Sequence, residues 1–400
     1  MSYLTCIETA AGARLDPAVP HSAAAAEELR ARYDLERIRR EITLESIAAG
    51  PASLWRYAPL LPVAQPQNAV SLGEGWTPLT PTPRLARKLG LTQLAVKEEG
   101  RNPSGTFKDR GAAVALSRYV ELGVKTVAHN SSGNAGGSWS LYAARAGITC
   151  VNVLPTDAQP ASRQQCRASN QPTFLLENWH EAGRIVAEAC ERNGWLNICT
   201  LREPYRLEGK KTMGLEIAEQ RGWRLPDAVV YPMGGGLGAI GIFKAFEELL
   251  QLGWVAGRMP RLYVTQYAGC APVVKAYDAG RHECEPWGTI DIPPGGLKSP
   301  SPPGGRAALK IMRDHGGGAI AVTTEDALAA VDEMAREEGL FACPESATTL
   351  AGLRTAIARG GIKRTDDVVL ISTGSGLKSI PTLAPPDFPK ITSAAELRLS

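Results

Sequence analysis

One lysine stands where covalent chemistry with a carbonyl is easiest. The run Asn102-Pro103-Ser104-Gly105-Thr106-Phe107-Lys108-Asp109-Arg110-Gly111 delivers Lys108 from a Pro/Gly turn, between an aromatic ring and a charged pair, where a helix begins. An amine must lose its proton to attack a carbonyl, and burial favours that neutral form. Phe107 supplies apolar cover. The positive end of a helix disfavours the ammonium further. An isolated lysine is ordinarily a surface residue, so this run gains meaning only beside others.

Three glycine-rich turns keep it company. Tyr231-Pro232-Met233-Gly234-Gly235-Gly236-Leu237-Gly238-Ala239-Ile240 follows one apolar run and opens another. Backbone without Cβ atoms wraps closely around an anion, and the first amides of a helix point at it. The run lacks the Lys-Ser/Thr of a P-loop and an acidic partner for a dinucleotide, so it reads as a phosphate cradle of another kind. Asn130-Ser131-Ser132-Gly133-Asn134-Ala135-Gly136-Gly137 and Ile371-Ser372-Thr373-Gly374-Ser375-Gly376-Leu377-Lys378 also follow apolar runs. Small polar residues at a strand's carboxyl end suit a ligand crevice. Each of the three alone can also be read as an ordinary α/β turn, the Asn130 run most readily.

The elements that must position these turns alternate along the chain. Strands are expected at Leu94–Glu98, Thr126–His129, Thr149–Leu154, Thr173–Leu176, Ala228–Tyr231, Leu262–Gln266, Ala319–Thr323 and Val368–Ser372. Helices are expected at Gly111–Leu122, His180–Arg192, Gly209–Gln220, Ala239–Gln251, Glu325–Glu337 and Ser346–Ala358, with apolar residues at three- and four-residue spacing. Alternation of this kind predicts α/β architecture, with mostly parallel sheets wrapped by helices. Residues 1–50 read as an extension, with a helix over Ser22–Tyr33 continued towards Ile42. Pro286–Arg306, dense in Pro and Gly, reads as a long irregular loop that shapes a pocket together with Tyr205.

Composition excludes several classes. The 400 residues suit two α/β domains. Lys and Arg number 44 against 41 Asp and Glu, too even a balance for a nucleic-acid footprint. The most apolar stretch, Ala228–Leu250, is broken by Gly, Pro and Lys244, so no membrane span is expected. The N-terminus has neither a basic nor an apolar leader region, and the eight Cys are scattered. A cytoplasmic protein with reduced thiols is expected.

Taken in chain order, these segments resemble the threonine synthase family of fold-type II pyridoxal-phosphate (PLP) enzymes. Three more runs carry the likeness: Ser71-Leu72-Gly73-Glu74-Gly75-Trp76-Thr77-Pro78-Leu79, Pro204-Tyr205-Arg206-Leu207-Glu208-Gly209-Lys210-Lys211-Thr212 and Gly339-Leu340-Phe341-Ala342-Cys343-Pro344-Glu345-Ser346-Ala347. The resemblance covers about residues 53–380. It implies two doubly wound, mostly parallel α/β domains with PLP in the cleft between them. It divides the chain into 1–50, 51–205 with a mobile subdomain about 112–200, 206–385, and a tail 386–400. It implies that Lys108 forms the Schiff base, that Asn134 contacts the cofactor's 3-oxygen, and that Gly234, Gly235, Gly236, Leu237 and Gly238 cradle its phosphate. Thr373 matches the hydroxyl near the pyridine nitrogen. Ser131, Ser132, Gly133 and Arg206 match substrate contacts. A homodimer acting on a small amino acid is implied, with O-phosphohomoserine and water giving threonine and phosphate.

The sequence departs from the family in three places. Cys6 alone stands where many relatives carry a Cys-rich, zinc-binding N-terminus, and one thiol builds no tetrahedral site, so no metal is expected. Thr200-Leu201-Arg202-Glu203 replaces an Asn/Ser-rich stretch that helps bind substrate phosphate. The Gly-Gly-Gly-Leu-Gly loop is closer to that of threonine and serine dehydratases. β-Elimination, β-replacement as in cysteate synthase, and a non-catalytic PLP-carrying protein stay open at this point. His129 is read as structural, and Cys343 as lining the site or, the expected case, packing as a small apolar residue.

Overall fold

The computed structural model describes residues 3–23, 29–385 and 388. Two mostly parallel sheets form its framework. The larger has six strands in the order Gly317–Val322, Arg261–Tyr267, Ala228–Pro232, Asp367–Ser372, Gln93–Glu98, Leu79–Pro81. All neighbours are parallel except the last pair. The smaller has four parallel strands, Thr173–Leu176, Thr149–Pro155, Thr126–Asn130 and Leu196–Asn197. Ala228–Pro232 is buried throughout, as strands covered by helices on both faces must be, and this is why its run is uninterrupted by polar residues. The fold class expected from the alternation is the one observed.

Every expected strand is present within two residues of its expected ends, and the six expected helices are present. The sheets do not divide the chain at residue 205. Leu79–Pro81 and Gln93–Glu98 pair with the later strands, so the Lys108 turn grows out of the larger sheet.

The N-terminal segment differs from the reading of its sequence. Leu4–Glu8 pairs antiparallel with Arg14–Leu15 and with Arg30–Tyr33. Of the helix expected over Ser22–Tyr33, residues 24–28 lie outside the described residues, and Arg30–Tyr33 is a strand. Pairing with Leu4–Glu8 overrides the local helical preference. A helix begins only at Leu35, where the Asp34 side chain accepts from Arg37 N–H. Nor is this segment a loose appendage: Ile7 and Ala31 pack in one core cluster with Ala112–Leu116.

The helix Asn134–Ala146 went unread because its first turns contain Gly136 and Gly137. Those glycines let it approach its neighbours. A Cβ at Gly136 would lie 2.8 Å from Leu154 Cδ2, and one at Gly137 2.3 Å from Gln165 Oε1. The expected irregular loop runs to Gly304, and Gly305–His315 is helical.

Three helices pack in series, Lys108–Glu121 on Tyr205–Gln220 and that on Leu237–Leu252, and the first also joins the smaller sheet, with Ala112–Leu116 beside Val127 and Cys150. Their closest approach is at Gly209, where a Cβ would stand 2.0 Å from the Arg110 carbonyl oxygen. Gly209→Ala is therefore expected to destabilise by about 1–3 kcal/mol through overpacking. Gly183→Ala, in an open helical position, is expected to stabilise by about 0.5–1 kcal/mol. Thermal midpoints of the two variants should move in opposite directions.

Candidate functional site

The Lys108 turn is stapled to the loop after Asp367–Ser372. Phe107 N–H donates to the Thr373 carbonyl at 3.0 Å, Ser375 N–H donates to the Gly105 carbonyl at 3.0 Å, and Thr106 bridges to Gly374. Gly105 takes φ +82°, which a side chain would resist. Lys108 is the first residue of its helix. The next two residues anchor it. Asp109 accepts from Ser104 N–H at 2.7 Å and from the Ser138 hydroxyl at 2.6 Å. Arg110 is fully buried and forms paired hydrogen bonds to Glu99, at 2.6 and 2.7 Å, and to Glu216, at 2.6 and 2.8 Å. Lys97 Nζ adds a 2.7 Å bond to Glu216.

A cavity of about 340 Å³ opens where the strand ends of both sheets face each other. Lys108, Ser131, Ser132, Asn134, Arg206, Gly234, Gly235, Gly236, Leu237 and Thr373 all line it. Two expected residues do not. Gly133, at φ +136°, shapes the turn into the helix behind the cavity wall. Gly238 lies against Tyr231 instead, where a Cβ would be 2.0 Å from the hydroxyl oxygen, so its absent side chain serves helix-on-strand packing. Ser131 Oγ accepts from the backbone N–H groups of Gly133 and Gly136, at 3.1 and 3.0 Å.

Burial sets the electrostatics. The Lys108 amine is pushed down to about 7, first by burial and then by the nearby Arg206 guanidinium. Burial pushes the Asp109 carboxyl up to about 6, against hydrogen bonds from Ser104 and Ser138. His129 Nε2 lies 3.0 Å from Asn152 Oδ1 and the ring sits beside Trp139, and burial pushes it down to about 3, so its ring is neutral. Cys343 lines the cavity and lies 3.0 Å from Ser346 Oγ. Tyr205 is buried against Tyr119 and its hydroxyl points to the Pro17 carbonyl, so it shapes no pocket wall. The 286–304 loop does: Gly296–Ser301 and Pro303 line the cavity.

The unusual Thr200–Glu203 stretch sorts itself by burial. Leu201, at φ +59°, packs with Leu207, Leu237 and Ile240. Glu203 turns inward, accepting from the Tyr119 hydroxyl at 2.7 Å and from the backbone of Tyr205 and Arg206. Arg202 and Thr200 line the cavity. The acidic group thus caps a helix and does not face the ligand.

Several lining residues escaped the sequence reading, among them Trp179, Gly183, Cys199, Lys210 and Glu345. Lys210 stands four residues after Arg206 on one helix, so the i, i+4 spacing already put them on one face. Glu345 lines the cavity with Oε1 accepting from Gly296 N–H at 3.0 Å, while its buried Oε2 has no hydrogen-bond partner among the described residues.

The match to known proteins fits this arrangement. Residues 70–374 match the family model described as pyridoxal-phosphate dependent enzyme. The threonine synthase of Methanosarcina acetivorans is 35% identical over 96% of this chain and 94% of its own length. That of Methanocaldococcus jannaschii is 34% identical over 86% of this chain and 85% of its own. The chain belongs to the threonine synthase family of pyridoxal-phosphate dependent enzymes. Solved structures share the fold: threonine deaminase isoform 2 of Solanum lycopersicum at TM-score 0.61 and 22% identity, over 86% of this chain and 84% of its own. Diaminopropionate ammonia lyase of Escherichia coli reaches TM-score 0.67 at 15% identity, over 79% and 89%.

As a member of the threonine synthase family, the chain is an enzyme and its cofactor is PLP. The cavity fits that group. It holds amines of lowered basicity, Lys108 and Lys210, and it ends on backbone that is closely packed at Gly234 and Gly236. A Cβ at Gly234 would lie 2.4 Å from the Gly296 carbonyl oxygen, and one at Gly236, φ +90°, 2.7 Å from Met233 Cε. The first amides of the helix Leu237–Leu252 have no partner within that helix, the condition for anion binding. Gly236→Val is expected to weaken cofactor retention at least about tenfold, since a β-branched residue resists positive φ. Absorbance left after dialysis of the variant and the parent measures it.

Proposed function

We propose that this enzyme converts O-phosphohomoserine and water to threonine and phosphate, with Lys108 as the amine that bears the cofactor. The observation that carries this reading is the meeting of Lys108, Arg206, Arg202 and the Gly234–Leu237 backbone in one cavity. When bound, PLP supplies an electron sink for charge that develops at the substrate's Cα. Everything else falls to the chain's own residues.

Lys108, released when substrate enters, is a neutral amine in a useful fraction of molecules at neutral pH and takes the Cα proton as general base. Asp109, tied to Ser104 and Ser138, and Arg110, tied to Glu99 and Glu216, keep the first turn of its helix from shifting. Asn134 enters the cavity at the start of its helix, with Oδ1 accepting from Ser162 Oγ at 3.1 Å. Thr373 offers a hydroxyl whose neighbour is Ser346 Oγ, at 3.3 Å. A hydroxyl there would give the nitrogen of a bound pyridine ring a neutral partner and so favour its unprotonated form. Arg202 and Arg206 provide positive charge for the substrate's phosphate, and no acidic side chain of the Thr200–Glu203 stretch opposes it.

The smaller sheet and its helices, about residues 112–200, act as the mobile part of the molecule. Across the cavity mouth, Asp157 pairs with Lys298 at 2.6 Å and Gln159 Nε2 donates to the Pro294 carbonyl at 2.8 Å. Such contacts hold a closed site that excludes water until it is needed. The resemblance supports a homodimer, and the scattered free cysteines support a cytoplasmic location. Among the described residues no helix is long and apolar enough to cross a membrane.

A panel of O-phosphohomoserine, O-phosphoserine, threonine and serine tests the reaction by product identity. Equal amounts of phosphate and threonine from the first are expected. A 2-oxo acid and ammonia from threonine or serine would replace this reading with β-elimination, which the Gly-Gly-Gly-Leu-Gly loop favours. Lys108→Ala is expected to lower turnover by on the order of a thousandfold or more. Capture of free PLP by cofactor-free protein should speed up between pH 6 and 8 and then level, because the amine attacks only after losing its proton near pH 7.

A further inference from the structure

One buried amine in the cavity has no part in the reaction as described. Lys210 is 1% exposed and lines the same cavity as Lys108. Its stem passes through a gap that glycines leave open between helices. A Cβ at Gly241 would lie 2.7 Å from Lys210 Cβ, and one at Gly111 would lie 3.2 Å from its Cε. The gap fixes the direction in which the side chain leaves its helix. At the far end, Nζ donates to the Phe107 carbonyl. It stands 4.4 Å from the Phe107 ring centre, and Lys108 Nζ stands 4.4 Å from the same point. The two amines share one ring and one cavity.

The charged groups around Lys210 come from several elements. Lys108 and Arg206 repel a proton there, while Asp109 and Glu99 attract one. Asp109 already accepts from Ser104 and Ser138, and Glu99 is engaged by Arg110. Lys211 turns the other way, to Glu208 and Glu248, and Lys244 joins it. Glu216 is held by Arg110 and Lys97. Burial and the two cations prevail, holding the Lys210 amine well below the ordinary lysine range. A neutral amine with one N–H on the Phe107 carbonyl keeps a lone pair for a proton.

We propose that Lys210 is a second acid–base group of this active site, exchanging a proton with Lys108 during turnover. In the forward transfer an N–H bond of the Lys108 ammonium breaks, its electron pair stays on Lys108, and an N–H bond forms at Lys210 Nζ. The return transfer restores both. A substrate that loses protons from both Cα and Cβ asks the site to hold more than one, and a single amine accepts one at a time. The proposal rests on the reading of Lys108 as the cofactor-bearing amine.

PLP-loaded Lys210→Gln and Lys210→Ala test it. The amide of the first variant can still donate to the Phe107 carbonyl, which keeps the fold and the Lys108 turn in place. With O-phosphohomoserine, Lys210→Gln is expected to keep the parent's cofactor absorbance and KM, and to lose on the order of a hundredfold in kcat. The acid side of its kcat–pH profile should flatten from a two-proton to a one-proton fall. Methylamine should restore part of the activity of Lys210→Ala. Unchanged kcat, a change in KM alone, or a lower kcat with the parent's pH profile and no amine rescue would overturn the proposal. Should the parent release no phosphate from that substrate, the proposed reaction fails instead. Lys210 is then judged by the same two variants on exchange of the Cα hydrogen of serine or threonine with deuterated water, where the same hundredfold loss is expected and unchanged exchange contradicts it.

Discussion

Four charges with no access to water hold the reactive lysine in place. Arg110 pairs with both Glu99 and Glu216, and Lys97 pairs with Glu216, all four fully buried. Each residue comes from a different piece of the fold: the strand Gln93–Glu98, the turn after it, the Lys108 helix, and the helix Tyr205–Gln220. Removing one partner from such a set leaves a buried charge uncompensated and costs about 3–5 kcal/mol. Replacing the whole set by apolar groups often costs nothing. Its value therefore lies in geometry: it locks the residue two places after Lys108 to the centre of the larger sheet.

Around that fixed point the cavity is built from absences. Gly209 and Gly241 let helices touch backbone to backbone or backbone to lysine stem, and Gly234 and Gly236 clear space beside the 296–304 loop. What fills the walls is cationic. Lys108, Arg202, Arg206, Lys210 and Lys298 all line the cavity, whereas Glu345 is the acidic side chain among the lining residues. A cofactor phosphate and a phosphorylated amino acid together supply the negative charge that such walls would hold. Burial first, and the crowding of cations second, keeps the lysine amines ready to give up protons.

Much of this was legible in the residues. Uninterrupted β-branched runs marked the parallel strands, and the turns after them marked the carboxyl-end crevice. What stayed hidden has physical reasons. Arg30–Tyr33 carries no strand pattern of its own and becomes a strand by pairing with Leu4–Glu8. The helix from Asn134 is rich in glycine because it must pack closely, and glycine conceals helices. By charge alone Glu203 would oppose a phosphate, but burial turns it towards Tyr119, which no residue pattern announces. Gly238 belonged by type to the anion loop, yet its place is under Tyr231. Lys210 was in plain view beside Arg206, but a helix period says which residues share a face, not that the face meets a cavity.

The central claim is that one amine, held by the Arg110 network, bears the cofactor. Borohydride reduction of the PLP-loaded enzyme, followed by proteolysis and mass spectrometry, tests it most directly. The account predicts a single pyridoxyl-modified peptide with the label on Lys108. A label on Lys210 or any other lysine, or no label at full cofactor occupancy, would contradict it.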